Sequence, residues 1–284
     1  MGWWNLQRKE EWLFRGQICS KWTFQTSLER AIISFGTATK RIPNKSDADY
    51  ENKLAVLHRE ILGAGLENYN VSNLEKGLLR RFMRQSHHYV TTLPSEENVM
   101  EWLALMQHYG APTCLLDWTH SLFVAVYFAV EQADSECAVW ALNLKWVERT
   151  IYDVLDKVAS EALKEDRNVT KKETFKQVFD HGHGLVCPIK PYRFNERLVI
   201  QQGVFLVPGN VSIPFDDNLM SFLQRSDSKG MLVKLIIQND ATLRKTILQN
   251  LHHMNMNSAT LFPGLDGFAR SLRTLLVYPH ILQP

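Results

Sequence analysis

The chain has 284 residues, 45% of them hydrophobic and 22% charged, with a formal net charge of +2. These proportions exclude a disordered chain and describe an ordinary globular protein able to bury a sizeable core. No apolar run approaches the ~18 residues of a membrane span, and "MGWWNLQRKEEW" lacks the basic start and apolar middle of a secretory signal. The four cysteines, Cys19, Cys114, Cys137 and Cys187, are far apart and form no C-x-x-C. They read as free thiols of a cytoplasmic protein with no membrane partner. The near-neutral charge says little about partners, although a local patch can hide in a balanced total.

In chain order, "WLFRGQ" (12–17) predicts a strand that carries Arg15, and "SLERAIISF" a helix. Residues 47–69 space Leu54, Leu57, Ile61 and Leu62 on one side of an amphipathic helix. "LEKGLLRRFMRQ" (74–85) predicts a second such helix. "SEENVMEWLALMQHYG" (95–110) predicts a third, opened by Ser95 and stopped by Gly110 and Pro112. "CLLDW" then reads as a buried strand, 122–132 as a buried helix and "CAVWALNL" (137–144) as a strand. Residues 148–180 carry a charged helical pattern that suits an inserted hairpin. Strands follow at "GLVCPI" (184–189), "RLVIQQGVFLV" (197–207) and "GMLVKLIIQ" (230–238), and helices at 241–254 and 264–276. With no repeat and no linker, the expectation is one compact α+β domain over 1–284. Its helices gather in the first third (about 47–110), and its strands from Leu115 onward form a mixed or antiparallel central sheet flanked by helices.

Candidate functional residues lie at the seams of these elements. Arg15, between Phe14 and Gly16, needs a partner if buried; a phosphate or carboxylate ligand and a structural ion pair with Asp117 both satisfy it. In "LLDWTHS", Asp117 suits a backbone loop or a ribose hydroxyl, while Thr119 and Ser121 suit ligand contact or helix capping. His108 and Tyr109 either complement a helix C-terminus or meet a bound ring. Gln201 and Gln202, read within a strand, point to opposite faces, so one turns inward and needs a partner; Gly203 permits close approach. "HGHG" (181–184) is a weak metal signal, so no metal is expected. "RRFMR" (80–84) is ordinarily a solvated helix face, with phosphate contact the alternative. The chain has no P-loop, G-x-G-x-x-G, H-E-x-x-H or G-x-S-x-G.

Together, "WLFRGQ", "QHYGAPTCLLDWTHSLFVAVYFA", "RLVIQQGVF" and "TLFPGLDGFA" resemble the FRG domain family, named for its (F/Y)RG motif. Cys114 stands where that family often carries a basic residue, which removes one charge near the pocket. The order of landmarks is also similar to the ADP-ribosyltransferase fold: Arg or His on a first strand, Ser or Thr closing a second, Glu or Gln-x-Glu on a later one. That likeness implies NAD as co-substrate and ADP-ribose transfer to a macromolecular acceptor, protein or nucleic acid, or to water as in an NAD glycohydrolase. A prokaryotic toxin or antiphage defence effector, held in check by an antitoxin or inhibitor protein, fits such an activity.

On this likeness Arg15, Asp117 and Gln201 are the catalytic residues. Phe14, Arg15, Gly16, His108, Tyr109, Thr119, Ser121 and Gln202 are the nucleotide-binding residues. The chain departs from the pattern in having Gln-Gln-Gly where the catalytic Glu belongs, so Asp117 is the first candidate for the missing acid. The alternative is a non-catalytic nucleotide- or partner-binding module.

Overall fold

A computed structural model describes residues 12–37, 56–57, 60–61, 71–180, 182–192, 195–225, 227–238 and 240–275. Among the described residues six strands form one sheet: β1 Trp12–Gln17, β2 Leu116–Thr119, β3 Cys137–Asn143, β4 Val186–Ile189, β5 Gly203–Pro208 and β6 Leu232–Ile237. Their order is β4-β5-β2-β1-β3-β6, and every pairing is antiparallel. The described residues hold twelve helices. The first four are α1 Ser27–Thr37, α2 Val71–Ser86, α3 Val99–His108 and α4 Leu122–Val130. Next come α5 Leu144–Val154, α6 Lys157–Glu165, α7 Lys172–Phe179 and α8 Glu196–Ile200. The last four are α9 Phe215–Leu223, α10 Ala241–His253, α11 Ser258–Leu261 and α12 Leu265–Leu275. No helix among the described residues is long and apolar enough to cross a membrane.

β1 is a central strand because six short residues pair on both sides, all of them with β3 and Phe14 with Thr119 of β2. Its alternation feeds two cores. Leu13 joins the cluster built with α3, α5, α6, α7 and α9, while Phe14 joins the cluster built with α4, α10 and α11. A sheet covered on both faces has apolar residues on both sides of each strand, and all six residues of β5 are buried.

Several expectations need correction. Helices do not gather in the first third; eight of the twelve follow β3 and interleave with the later strands. The expected helix over 47–69 lies outside the described residues, apart from 56–57 and 60–61, which are helical. Helix α3 starts at Val99, because Asn98, not Ser95, accepts the capping bond from the Glu101 N–H at 3.1 Å. Residues 148–180 form the end of α5, then α6 and α7, and their Leu155, Leu163 and Phe179 belong to the main core.

The largest correction concerns "RLVIQQGVFLV". Its first residues are the helix α8, capped by Asn195, whose side chain accepts from the Leu198 N–H at 2.7 Å. Gln202 then turns the chain with φ +48° before β5 begins at Gly203. An Asn cap followed by an acid in the first turn outweighs the β-branched residues that follow it.

Cys114 also differs from expectation. It lies outside the cleft described below, buried against Glu75 of α2, whose carboxylate accepts the Cys114 backbone N–H at 2.9 Å. A basic residue there would neutralise Glu75; the thiol leaves the carboxyl buried without that charge. Burial therefore pushes the Glu75 pKa up, offset in part by its Cys114 hydrogen bonds. Burial likewise raises Glu29 of α1, although the Thr26 and Phe215 N–H groups donate to it.

Both folded pKa values lie above the unfolded ones, so between them the native state holds more protons than the unfolded state. Stability therefore falls as pH rises from about 4.5 through the folded values, by about 1.4 kcal/mol for each unit of separation. Glu75→Gln keeps the acceptor and removes the titration. Urea melts at pH 5 and pH 8 should show a smaller loss of stability for this variant than for the parent; an unchanged loss would remove Glu75 as a cause.

Candidate functional site

The site is a cleft of about 780 Å³ beside the β1–β2 part of the sheet. Ligand cavities usually span roughly 300–1,000 Å³. Among the described residues four cations line it, Arg15, Lys21, Arg30 and Arg197, against one carboxylate, Asp117. Such a balance suits an anionic ligand.

Arg15 is half-buried. Its Nη1 donates to the Asp117 carbonyl at 2.5 Å, and its buried Nε has no hydrogen-bond partner among the described residues. The expected ion pair thus takes another form: the main chain of Asp117 accepts the bond, while its carboxylate accepts from Gln107 Nε2 at 3.0 Å. Burial pushes the Arg15 pKa down to about 10; Asp117 pulls it back up and Arg30 adds to the fall. At neutral pH the guanidinium keeps its charge. An unfilled buried donor calls for an acceptor, and a ligand in the cleft can supply one.

Thr119 and Gln201 reach the cleft already engaged. The Thr119 hydroxyl donates to the Gln201 carbonyl at 2.6 Å and accepts the Ser121 N–H at 2.9 Å. Gln201 Nε2 donates to the Leu261 carbonyl at 2.8 Å. These bonds tie the end of β2 to the turn before β5 and to α11.

Phe14 and Gly16 also line the cleft, although Phe14 is only 2% exposed and serves chiefly as core. Ser121, Gln202, His108 and Tyr109 do not line it. Ser121 caps α4 by accepting the Val124 N–H at 3.3 Å. The exposed Gln202 accepts the His120 N–H through its carbonyl. Tyr109 is the C-cap of α3 and stands out in solvent. His108 ends α3, its pKa lowered by burial and then by the charge of Arg197.

Sequence reasoning missed Arg197, Gln107 and Trp22. Arg197 lines the cleft half-buried, and burial lowers its pKa while Asp117 raises it. Its guanidinium lies 4.4 Å from the Phe262 ring centroid, and Arg270 lies 5.2 Å from the same ring. Arg197 and Gln201 are four residues apart, so a helical reading of "RLVIQ" places both on one face. Gln107 braces the cleft: its Oε1 accepts from Thr113 Oγ1 at 2.6 Å and from Ser27 Oγ at 3.1 Å. Trp22 is 49% exposed at the cleft, on a loop pinned where Gln17 Nε2 donates to the Thr23 carbonyl at 3.2 Å. No motif marks it.

Residues 10–137 match the family model of the FRG domain. The chain carries an FRG domain. The match runs from the approach to β1 through α1, α2, α3, β2 and α4 to the start of β3, and so contains Arg15, Gly16, Asp117 and Thr119. Arg197 and Gln201 lie beyond it and line the cleft from outside the matched residues; "TLFPGLDGFA" also lies beyond the match and does not line the cleft. No curated protein and no solved structure matches the chain. The FRG triplet divides three tasks among its residues: Phe14 fills the core, Arg15 serves the cleft, and Gly16 admits α4.

Proposed function

We propose that the cleft binds NAD as co-substrate and that the protein is an ADP-ribosyltransferase-like enzyme serving a macromolecular acceptor. One observation carries the reading: the adjacent strands β1 and β2 and the C-terminal end of α8 bring Arg15, Asp117, Thr119 and Gln201 to a single cleft with a surplus of positive charge among the described residues. Arg15, with its unfilled Nε, and Arg197 hold the diphosphate; planar guanidinium forks suit phosphate oxygens. Asp117, the one carboxylate among the described residues that line the cleft, takes the role of the acid missing from Gln-Gln-Gly. The C1′–N bond of the nicotinamide ribose breaks and nicotinamide leaves with its electron pair. The carboxylate stabilises the developing ribosyl cation, and an acceptor nucleophile then bonds to C1′ and gives up its proton. Thr119 and Gln201, engaged with each other and with Leu261, are positioning residues.

Purified protein incubated with NAD should release free nicotinamide, measured by chromatography. Asp117→Asn should lower that rate by about 10²–10³ while NAD still raises the melting temperature, because ligand binding to the native state stabilises it. A melting shift without nicotinamide release in the parent protein would make the cleft a nucleotide-binding module. No shift at saturating NAD would overturn the reading altogether.

A further inference from the structure

We propose that the exposed face of α2 docks single-stranded nucleic acid through Arg80, Arg81 and Arg84. These arginines, with Gly77 and Gln85, line a depression of about 470 Å³. Positions 77, 80, 81 and 84 follow helical spacing and form one stripe, while Leu74, Leu78, Leu79 and Phe82 pack inward. Arg80 and Arg84 lie about 6 Å apart along the axis.

Three features set this stripe apart from an ordinary solvated face. First, solvated helix faces mix charge signs, with acids three or four residues from bases. The one acid of α2, Glu75, is buried and turned to Cys114. Among the described residues no carboxylate bonds to Arg80, Arg81 or Arg84; Arg80 Nε donates to the Lys76 carbonyl at 3.1 Å. Like charges at this spacing oppose the helix.

Second, Gly77 sits in the helix where a Cβ would meet nothing within 4 Å. Glycine costs helix stability, and packing does not demand it here. Its bare backbone leaves the floor of the depression open.

Third, rings stand at the C-terminal end of the stripe. His87 and His88 are exposed with centroids 3.9 Å apart, and Tyr89 is 85% exposed. Cations along a backbone track with open aromatic faces at its end are the combination that holds unpaired nucleotides, because every base has a face to stack. A duplex offers charge but no free base face, and an acidic peptide carries no ring with each of its charges.

The surface is separate from the cleft, so its test omits NAD. A labelled single-stranded oligonucleotide of mixed sequence, longer than the roughly 4–16 nucleotides of an ordinary single-strand site, is titrated with the full chain and followed by anisotropy. Binding should weaken with salt along a log–log slope of about −2, the value for three phosphates on a single strand. The combined variant Arg80→Ala, Arg81→Ala, Arg84→Ala should bind at least about tenfold more weakly and lose most of that slope. Gly77→Glu sets a carboxylate beside Arg80 and Arg81 and replaces a poor helix former; it should weaken binding with no fall in melting temperature, which separates docking from folding. Tyr89→Ala should weaken binding and leave the salt slope unchanged. Arg15→Lys, in the cleft, should bind the oligonucleotide as the parent does. Equal affinity for duplex or for polyglutamate, or parent-like binding by the triple variant, would overturn the proposal.

Discussion

Gly16→Ala will strongly destabilise the fold. A Cβ built on Gly16 meets the Ala125 carbonyl oxygen at 2.1 Å, the Ala129 nitrogen at 2.6 Å and the Ala125 carbonyl carbon at 3.1 Å. All three are main-chain atoms of α4, so no rotamer change relieves the clash. The strand cannot retreat, because β1 pairs with β2 on one side and β3 on the other. The helix is equally confined: Val124, Ala125, Ala129 and Val130 are all buried at 0% exposure. Overpacking a core costs about 1–3 kcal/mol where side chains can adjust, and more where they cannot. An expected cost of about 3 kcal/mol or more is a large share of the 5–15 kcal/mol that holds a domain. It corresponds to a melting temperature lower by roughly 6–12 °C, or to insoluble expression. Melting followed by circular dichroism decides the matter. A variant that melts within a degree of the parent would mean that α4 does not rest on β1.

On the NAD-binding reading proposed above, Arg15→Ala is expected to abolish the melting shift with NAD and also to weaken the fold. The reason is the bond from Arg15 Nη1 to the Asp117 carbonyl, which joins β1 to β2 across a pairing that holds only Phe14 and Thr119 in register. The bond is exposed, so water can take over the acceptor when it is lost, and the cost is that of an ordinary hydrogen bond, about 0.5–1.5 kcal/mol. Arg15→Lys separates the two effects. The ammonium keeps the positive charge and can reach one oxygen, but it lacks the fork that serves a carbonyl and a phosphate together. The lysine variant should therefore melt closer to the parent than the alanine variant does, yet show little or no melting shift with NAD. Parent-like NAD stabilisation in Arg15→Lys would reduce Arg15 to a strand tie.

Most of the elements were legible because hydrophobic period and turn residues are local signals. "SLERAIISF" and "GLDGFARSLRTLL" have one apolar stripe each, and Gly110, with φ +77°, ends α3 where a glycine is expected to. The stretch before β5 was misread because "LVI" has β-branched residues in a helix only five residues long, too short for a period to show. Asn195 was the available signal. Helices α9 and α11 went unread for related reasons. The first opens after Pro214 without a side-chain cap bond, and the second spans four residues.

The site divides along the same line. Arg15, Asp117, Thr119 and Gln201 stood out in the sequence as polar groups at the seams of apolar runs, and they meet at one cleft. Ser121 stood out by the same rule and turned out to be a cap. A chain read in one dimension cannot tell a polar residue that serves a ligand from one that serves a helix end, because both sit at element boundaries.

By itself, then, the sequence determined the strand that carries Phe14, Arg15 and Gly16, the amphipathic helices and their stops, and the FRG membership of the first half. Only the tertiary structure decided that Arg197 joins Arg15 in the cleft, that Asp117 uses its carbonyl for Arg15 and keeps its carboxylate for Gln107, and that Cys114 faces Glu75. Those outcomes depend on which residues far apart in the chain become neighbours across the sheet. Periodicity measures a residue's own surroundings along the chain, and strand order carries no local mark.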